Sequence, residues 1–133
     1  MKRFEQLIAH LRDLPGTKLK VTYKNGEAAV AFPDGRNQTI QIRRAGERYL
    51  LTSRVIGSTR AGNMEPADLA CQIWSRNRVT DVVEFALDES GRLIGRIEQV
   101  ADALNRNELE FYLTVLAQEC DRLEYLLTGR DQT

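Results

Sequence analysis

The residues from which most enzymes, metal centres and disulfide scaffolds are built are scarce in this chain. Its 133 residues include one histidine, His10, and two cysteines, Cys71 and Cys120. A His/Cys metal centre needs three or four ligands, so no metal site is expected and no cofactor is implied. Each cysteine falls inside an expected helix, on or near its apolar side. Together they read as two buried free thiols, not as a disulfide framework. A nucleophile–base pair is hard to build around a single histidine, and His10 lies beside a polar run that makes it a surface residue. Paired carboxylates occur at Asp88-Glu89 and Glu108-Glu110. The first pair sits in a turn and the second opens a helix, where acidic residues favour the positive helix end. No catalytic residue is assigned, and the chain is read as a non-enzyme. Apolar runs are short as well: none approaches the roughly 18 residues needed to cross a bilayer. The basic start, MKRFEQLIAHLRDLPG, is interrupted by Glu5 and Asp13, so no signal peptide is expected and the chain is placed in the cytoplasm. Net charge is also missing, since 19 Lys/Arg balance 19 Asp/Glu. That balance, with aromatics on faces expected to be buried, argues against nucleic acid even though Arg36, Arg43, Arg44, Arg48, Arg54 and Arg60 are spread over the central strands.

What remains is the patterning of one ordinary globular domain, 1–133. Phe4, Leu7, Ile8, Leu11 and Leu14 repeat at helical spacing, and Pro15-Gly16 stops that first helix. TKLKVTYK then alternates, with Leu19, Val21 and Tyr23 on one side and lysines on the other. Asn25-Gly26 follows, a hairpin signal because a type I′ turn needs positive φ at both central positions. Counting back from it pairs Tyr23 with Ala28, Val21 with Val30 and Leu19 with Phe32, all on one face. NQTIQIRR and RYLLTSRVI supply two more strands, and 57–65 reads as the longest irregular segment. Pro66 suits the first position of a middle helix, PADLACQIWSRN, with Leu69, Ile73 and Trp74 on a short stripe. VTDVVEFALD and LIGRIEQV form a second hairpin around ESGR. A last helix begins near Asn105 or Asn107 and ends at Gly129. The order α-β-β-β-β-α-β-β-α predicts an α+β fold: one antiparallel sheet of five to six strands with helices on one face.

The last helix carries surplus apolar surface. Leu109, Tyr112, Leu113, Leu116, Cys120, Leu123 and Leu127 make a main stripe for the core. Phe111, Val115 and Leu126 form a second row, which the first helix is expected to cover, the alternative being that part of it meets another chain. On the opposite face of the sheet, Leu50, Ile56, Val82 and Ile94 are expected to point away from the helices. A contiguous apolar patch there would mark an interface. Charge is also uneven along the chain: residues 1–60 hold 12 Lys/Arg against 5 Asp/Glu, a net of +7, and residues 61–133 hold 7 against 14, a net of −7. The two halves are expected to face each other and neutralise locally, the alternative being a dipolar surface that steers a partner or a second copy. An alternative functional reading lies in the 54–63 loop, where Arg54, Ser58, Thr59 and Arg60 offer guanidinium and hydroxyl groups to a small anion or nucleotide.

The start FEQLIAHLRDL, the strand YLLTSRVI, the hairpin DVVEFALDESGRLIGRIEQ and the closing helix ELEFYLTVLAQECDRLEYLL together resemble the type III secretion chaperone-like family, including its YbjN-type bacterial members. The resemblance spans nearly the whole chain and is one of pattern. It departs in charge, because those chaperones tend to be acidic and this chain is neutral. The resemblance implies a non-enzymatic homodimer that binds another polypeptide as client. It further implies that the middle helix and the adjacent strand are the dimer region, with Leu69, Ile73 and Trp74 packing across a two-fold axis.

Overall fold

The computed structural model describes residues 11–14, 16–100 and 105–129. Most of the expected first helix, including His10, lies outside them. Its described end, 11–14, is not helical: Asp13 forms an antiparallel bridge with Lys20. Val21 N–H donates to Arg12 O at 2.8 Å, and Leu14 N–H donates to Leu19 O at 3.2 Å. The apolar spacing there serves an extended segment that buries Leu11 and Leu14. The following proline explains this, since the residue before a proline is pushed out of the α region.

Six strands form one antiparallel sheet: β1 (Lys20–Lys24), β2 (Glu27–Ala31), β3 (Asn37–Ala45), β4 (Arg48–Ile56), β5 (Glu84–Leu87) and β6 (Leu93–Val100). Their spatial order is β1-β2-β3-β4-β6-β5. The first hairpin has the expected register, with Val21 opposite Val30 and Tyr23 opposite Ala28. Its turn has φ 52° at Asn25 and φ 79° at Gly26, as a type I′ turn demands. Between β4 and β5 come two helices, α1 (Ser58–Gly62) and α2 (Pro66–Val79), and the chain closes with α3 (Arg106–Thr128). The segment read as irregular therefore contains a short helix, anchored by the buried Ala61.

α3 forms for reasons visible in its sequence. Asn105 Oδ1 accepts the Glu108 N–H at 2.9 Å, and Gly129 closes the other end in the left-handed region. Leu109, Leu113, Leu116, Cys120 and Leu123, three to four residues apart, are all fully buried. They pack on β3, β4 and β6, against Ile40, Leu51, Val55, Leu93 and Ile97. Each buried leucine contributes about 1.5–3 kcal/mol, so this stripe outweighs any propensity effect in holding the helix.

Both outer edges of the sheet are covered over part of their length. At β1 the 11–14 segment supplies backbone partners. At β5 a side chain imitates a strand: Asn77 of α2 donates to Phe85 O at 3.0 Å and accepts the Phe85 N–H at 2.8 Å. Blunted edges resist strand addition by other chains.

Candidate interaction surface

α2 is barely amphipathic. Leu69 is its one buried residue and Ile73 packs partly against the core. Glu65 caps it by accepting the Asp68 N–H at 3.0 Å, and Pro66 takes the first position. The rest of the helix projects outward. Trp74 is 60% exposed and Val79 is 69% exposed. The Arg78 guanidinium stands over the Trp74 ring at 4.7 Å. Cys71 is exposed, not buried as its spacing suggested. Its helix buries too narrow a stripe to enclose it.

Two of the three second-row residues of α3 are likewise exposed. Phe111 is 51% exposed and Leu126 is 57% exposed, which overturns the expectation that the first helix covers them. Phe111 and Val115 instead line a groove of about 400 Å³ with Val79, Thr80 and Val82. Val82 is thus found beside α2 and α3, not on the open sheet face. An ion pair bridges the groove's helices, Arg76 Nη2 to Glu119 Oε1 at 2.7 Å. Arg76 Nε is buried there and has no hydrogen-bond partner among the described residues. The groove therefore offers apolar walls beside a buried ion pair.

The residues singled out from the sequence do not form one patch. Leu69 and Ile56 are core residues. Ile56 was expected on the open face, but the register of β4 against β6 shifts between Arg54 and Ile56. That irregularity breaks the alternation and turns both Val55 and Ile56 inward. Leu50 and Ile94 do lie on the open face, half-buried among polar neighbours such as Arg43, Glu98 and Arg54. The anion candidates are separated too. Thr59 and Arg60 border a shallow depression with Asn63 and Met64. Arg54 lines a different cleft, between β3 and β4. Two features had only faint sequence signals: Asn77 as a strand surrogate, and the groove, hinted at by Phe111 falling off the main stripe. Among the described residues no cluster of His, Cys, Asp and Glu could hold a metal ion, and no helix is long and apolar enough to cross a membrane.

No family model and no curated protein matches the chain. Solved structures do. A chain of the ExsC–ExsE complex is similar with a TM-score of 0.53 at 22% identity, over 81% of this chain and 81% of that one. A chain of the heterodimeric ExoU–SpcU complex, from the type III secretion system of Pseudomonas aeruginosa, gives a TM-score of 0.59 at 18% identity, over 94% of this chain and 98% of that one. At this level of identity the likeness concerns architecture: the chain shares the α+β fold of chains in these two complexes.

Proposed function

We propose that this chain is a non-enzymatic, cytoplasmic polypeptide-binding module that works as a homodimer. The α2–α3 groove carries the reading. It exposes the apolar side chains of Val79 and Phe111 side by side. An extended polypeptide segment supplies what the groove lacks, an apolar side chain to cover its walls. The partly covered edges of the sheet favour such docking on a face over strand addition. Trp74 lies on α2 outside the groove lining and is assigned to the second copy, since large aromatics anchor interfaces. Structural neighbours from the ExsC–ExsE and ExoU–SpcU complexes support a partnership with another polypeptide. The narrower YbjN-type kinship rests on the sequence pattern alone.

An array of extended peptides of varied sequence tests the groove. The wild-type chain should retain peptides with large apolar residues, without any phosphate requirement. Phe111→Asp should lose them while keeping its fold. An array with no bound peptides, or one that Phe111→Asp leaves unchanged, would overturn the assignment.

A further inference from the structure

The charged residues that line the α2–α3 groove are Arg76, Asp81, Glu119 and Arg122. Arg76 and Glu119 pair with each other at 2.7 Å, and their side chains are only 16% and 17% exposed. That pair neutralises itself inside the wall. Two charges are left for a partner. Asp81 is exposed and makes no hydrogen bond or ion pair with another described residue. The Arg122 side chain is 62% exposed, and its ion pair among the described residues is a long one, 3.4 Å to Glu119. The Glu119 carboxylate already holds Arg76. A guanidinium carries five N–H donors, so Arg122 keeps most of them for a partner.

These two charges stand at opposite ends of the groove. Gly95 of β6 packs against Cys120, more than halfway along α3. From there β6 runs to Val100, and the chain then enters α3 at Arg106, so β6 points toward the start of that helix. β5 pairs antiparallel with β6, with Glu84 opposite Arg96. Stepping back from Glu84 to Asp81 therefore follows β6 toward the start of α3. That places Asp81 at the Phe111 end, beside Val79 and Val82. Arg122 lies eleven positions past Phe111, about 16 Å along the axis at roughly 1.5 Å per residue. The apolar walls, Phe111 and Val115 among them, lie between the acid and the base.

We infer that the groove selects polypeptide segments by charge order: a basic residue for Asp81, apolar residues for the Phe111–Val115 wall, and an acidic residue for Arg122. The inference rests on the polypeptide-binding reading and deepens it by naming the kind of segment bound. Side chains on one face of an extended chain recur about every 6.6 Å. A face reading basic, apolar, acidic spans about 13 Å, and one with two apolar residues spans about 20 Å. The groove falls between the two, within reach of the flexible charged side chains. A segment with acids at both ends meets Asp81, and one with bases at both ends meets Arg122. Each places like charges together at one end.

The probes are four heptapeptides capped at both termini, with leucine at the third and fifth positions and serine at the second, fourth and sixth. Their end residues are lysine then glutamate, glutamate then lysine, two lysines, or two glutamates. The first two cover both directions in which an extended chain can lie. Binding to the full chain is followed by fluorescence polarisation. The better of the opposite-charge peptides should bind about fivefold more tightly than either like-charge peptide at about 0.1 M salt. The gap should narrow at about 1 M salt. Arg122→Glu should move the preference to the two-lysine peptide, and Asp81→Lys to the two-glutamate peptide. The double variant should return it to opposite charges. Both side chains are exposed, and circular dichroism checks each fold. Equal binding of all four peptides by the wild type, lost in Phe111→Asp, would overturn the charge order and leave the groove reading standing. A wild-type preference that neither single swap moves would overturn it as well. No binding of any peptide would overturn both readings.

Discussion

Gly95 shows how closely α3 approaches the sheet. A Cβ built there would lie 2.6 Å from Cys120 Sγ, 3.1 Å from Phe85 Cε1 and 3.2 Å from Val83 Cγ1. Gly95→Ala should therefore destabilise by roughly 1–3 kcal/mol through overpacking, read from the denaturant midpoint. In a Cys120→Ala background the same change should cost less. An equal cost in both would assign the obstacle to Phe85 and Val83. Cys120 itself is fully buried and donates weakly to Ser53 O at 3.7 Å. Burial pushes its thiol up to about 12 from 9.0. The sign follows: with the folded value raised, the unfolded chain ionises first. The contribution is complete below about pH 9 and is lost as pH rises toward 12, by up to about 4 kcal/mol at 1.36 kcal/mol per unit. Cys120→Ala should flatten that alkaline slope in unfolding measured between pH 8 and 10. A thiol reagent should label Cys71 quickly in the native state and Cys120 only after unfolding. Fast native labelling of both would mean that α3 is docked differently. Cys120 was legible because helical spacing placed it between Leu116 and Leu123. The exposure of Cys71 was not, because spacing on α2 marks a stripe without saying how much of the helix any neighbour covers.

Among the elements, those defined locally were legible and those defined by distant partners were not. Asn25-Gly26 set the β1–β2 register because the turn and the alternation agree within a dozen residues. α3 was legible from its repeat, its cap and its terminal glycine. The bulge near Arg54 was not, since nothing in RYLLTSRVI marks where alternation breaks. The end of the expected first helix failed for a related reason: 11–14 is held by backbone bonds to β1 and the residue before it, a partner that the spacing of Leu11 and Leu14 does not reveal. Gln38 and Ser53 look like ordinary strand polar residues, and only the paired strands show them buried, with Ser53 Oγ donating to Gln38 Oε1 at 2.8 Å. α3 also offers the sharpest test of the two sides of an element. Leu116 is fully buried, and Leu116→Ala should cost roughly 2–5 kcal/mol. Phe111 is half exposed, and Phe111→Ala should stay within about 1 kcal/mol of wild type. Equal losses, measured by thermal or urea unfolding, would place Phe111 in the core after all.

At the scale of the whole molecule, two forces could bring copies together. The first is charge. Arg36 Nη1–Asp121 Oδ2 at 2.9 Å and Arg48 Nη1–Glu98 Oε2 at 3.5 Å tie the basic first half to the acidic second half. Other pairs, such as Arg96–Glu84 and Arg106–Glu110, stay within one half. Exposed Lys18, Lys24 and Arg43 lie on the β1–β3 side, so charge favours a head-to-tail attraction between dipolar copies. The second force is apolar burial of Trp74, which suits a symmetric pair in which one patch meets itself. The two respond differently to salt. Raising ionic strength from about 0.1 M to about 1 M shrinks the screening length from roughly 10 Å to roughly 3 Å, which dissolves a charge-driven contact and spares an apolar one. Sedimentation at micromolar concentration should report twice the monomer mass at both salt levels. Trp74→Asp should return the monomer with little change in unfolding midpoint, because the ring is mostly exposed within one chain. A wild-type monomer would sink the dimer outright. A dimer that dissociates in high salt and tolerates Trp74→Asp would transfer the contact from α2 to the charged halves. The polypeptide groove at Phe111 would then have to stand without a second copy beside it.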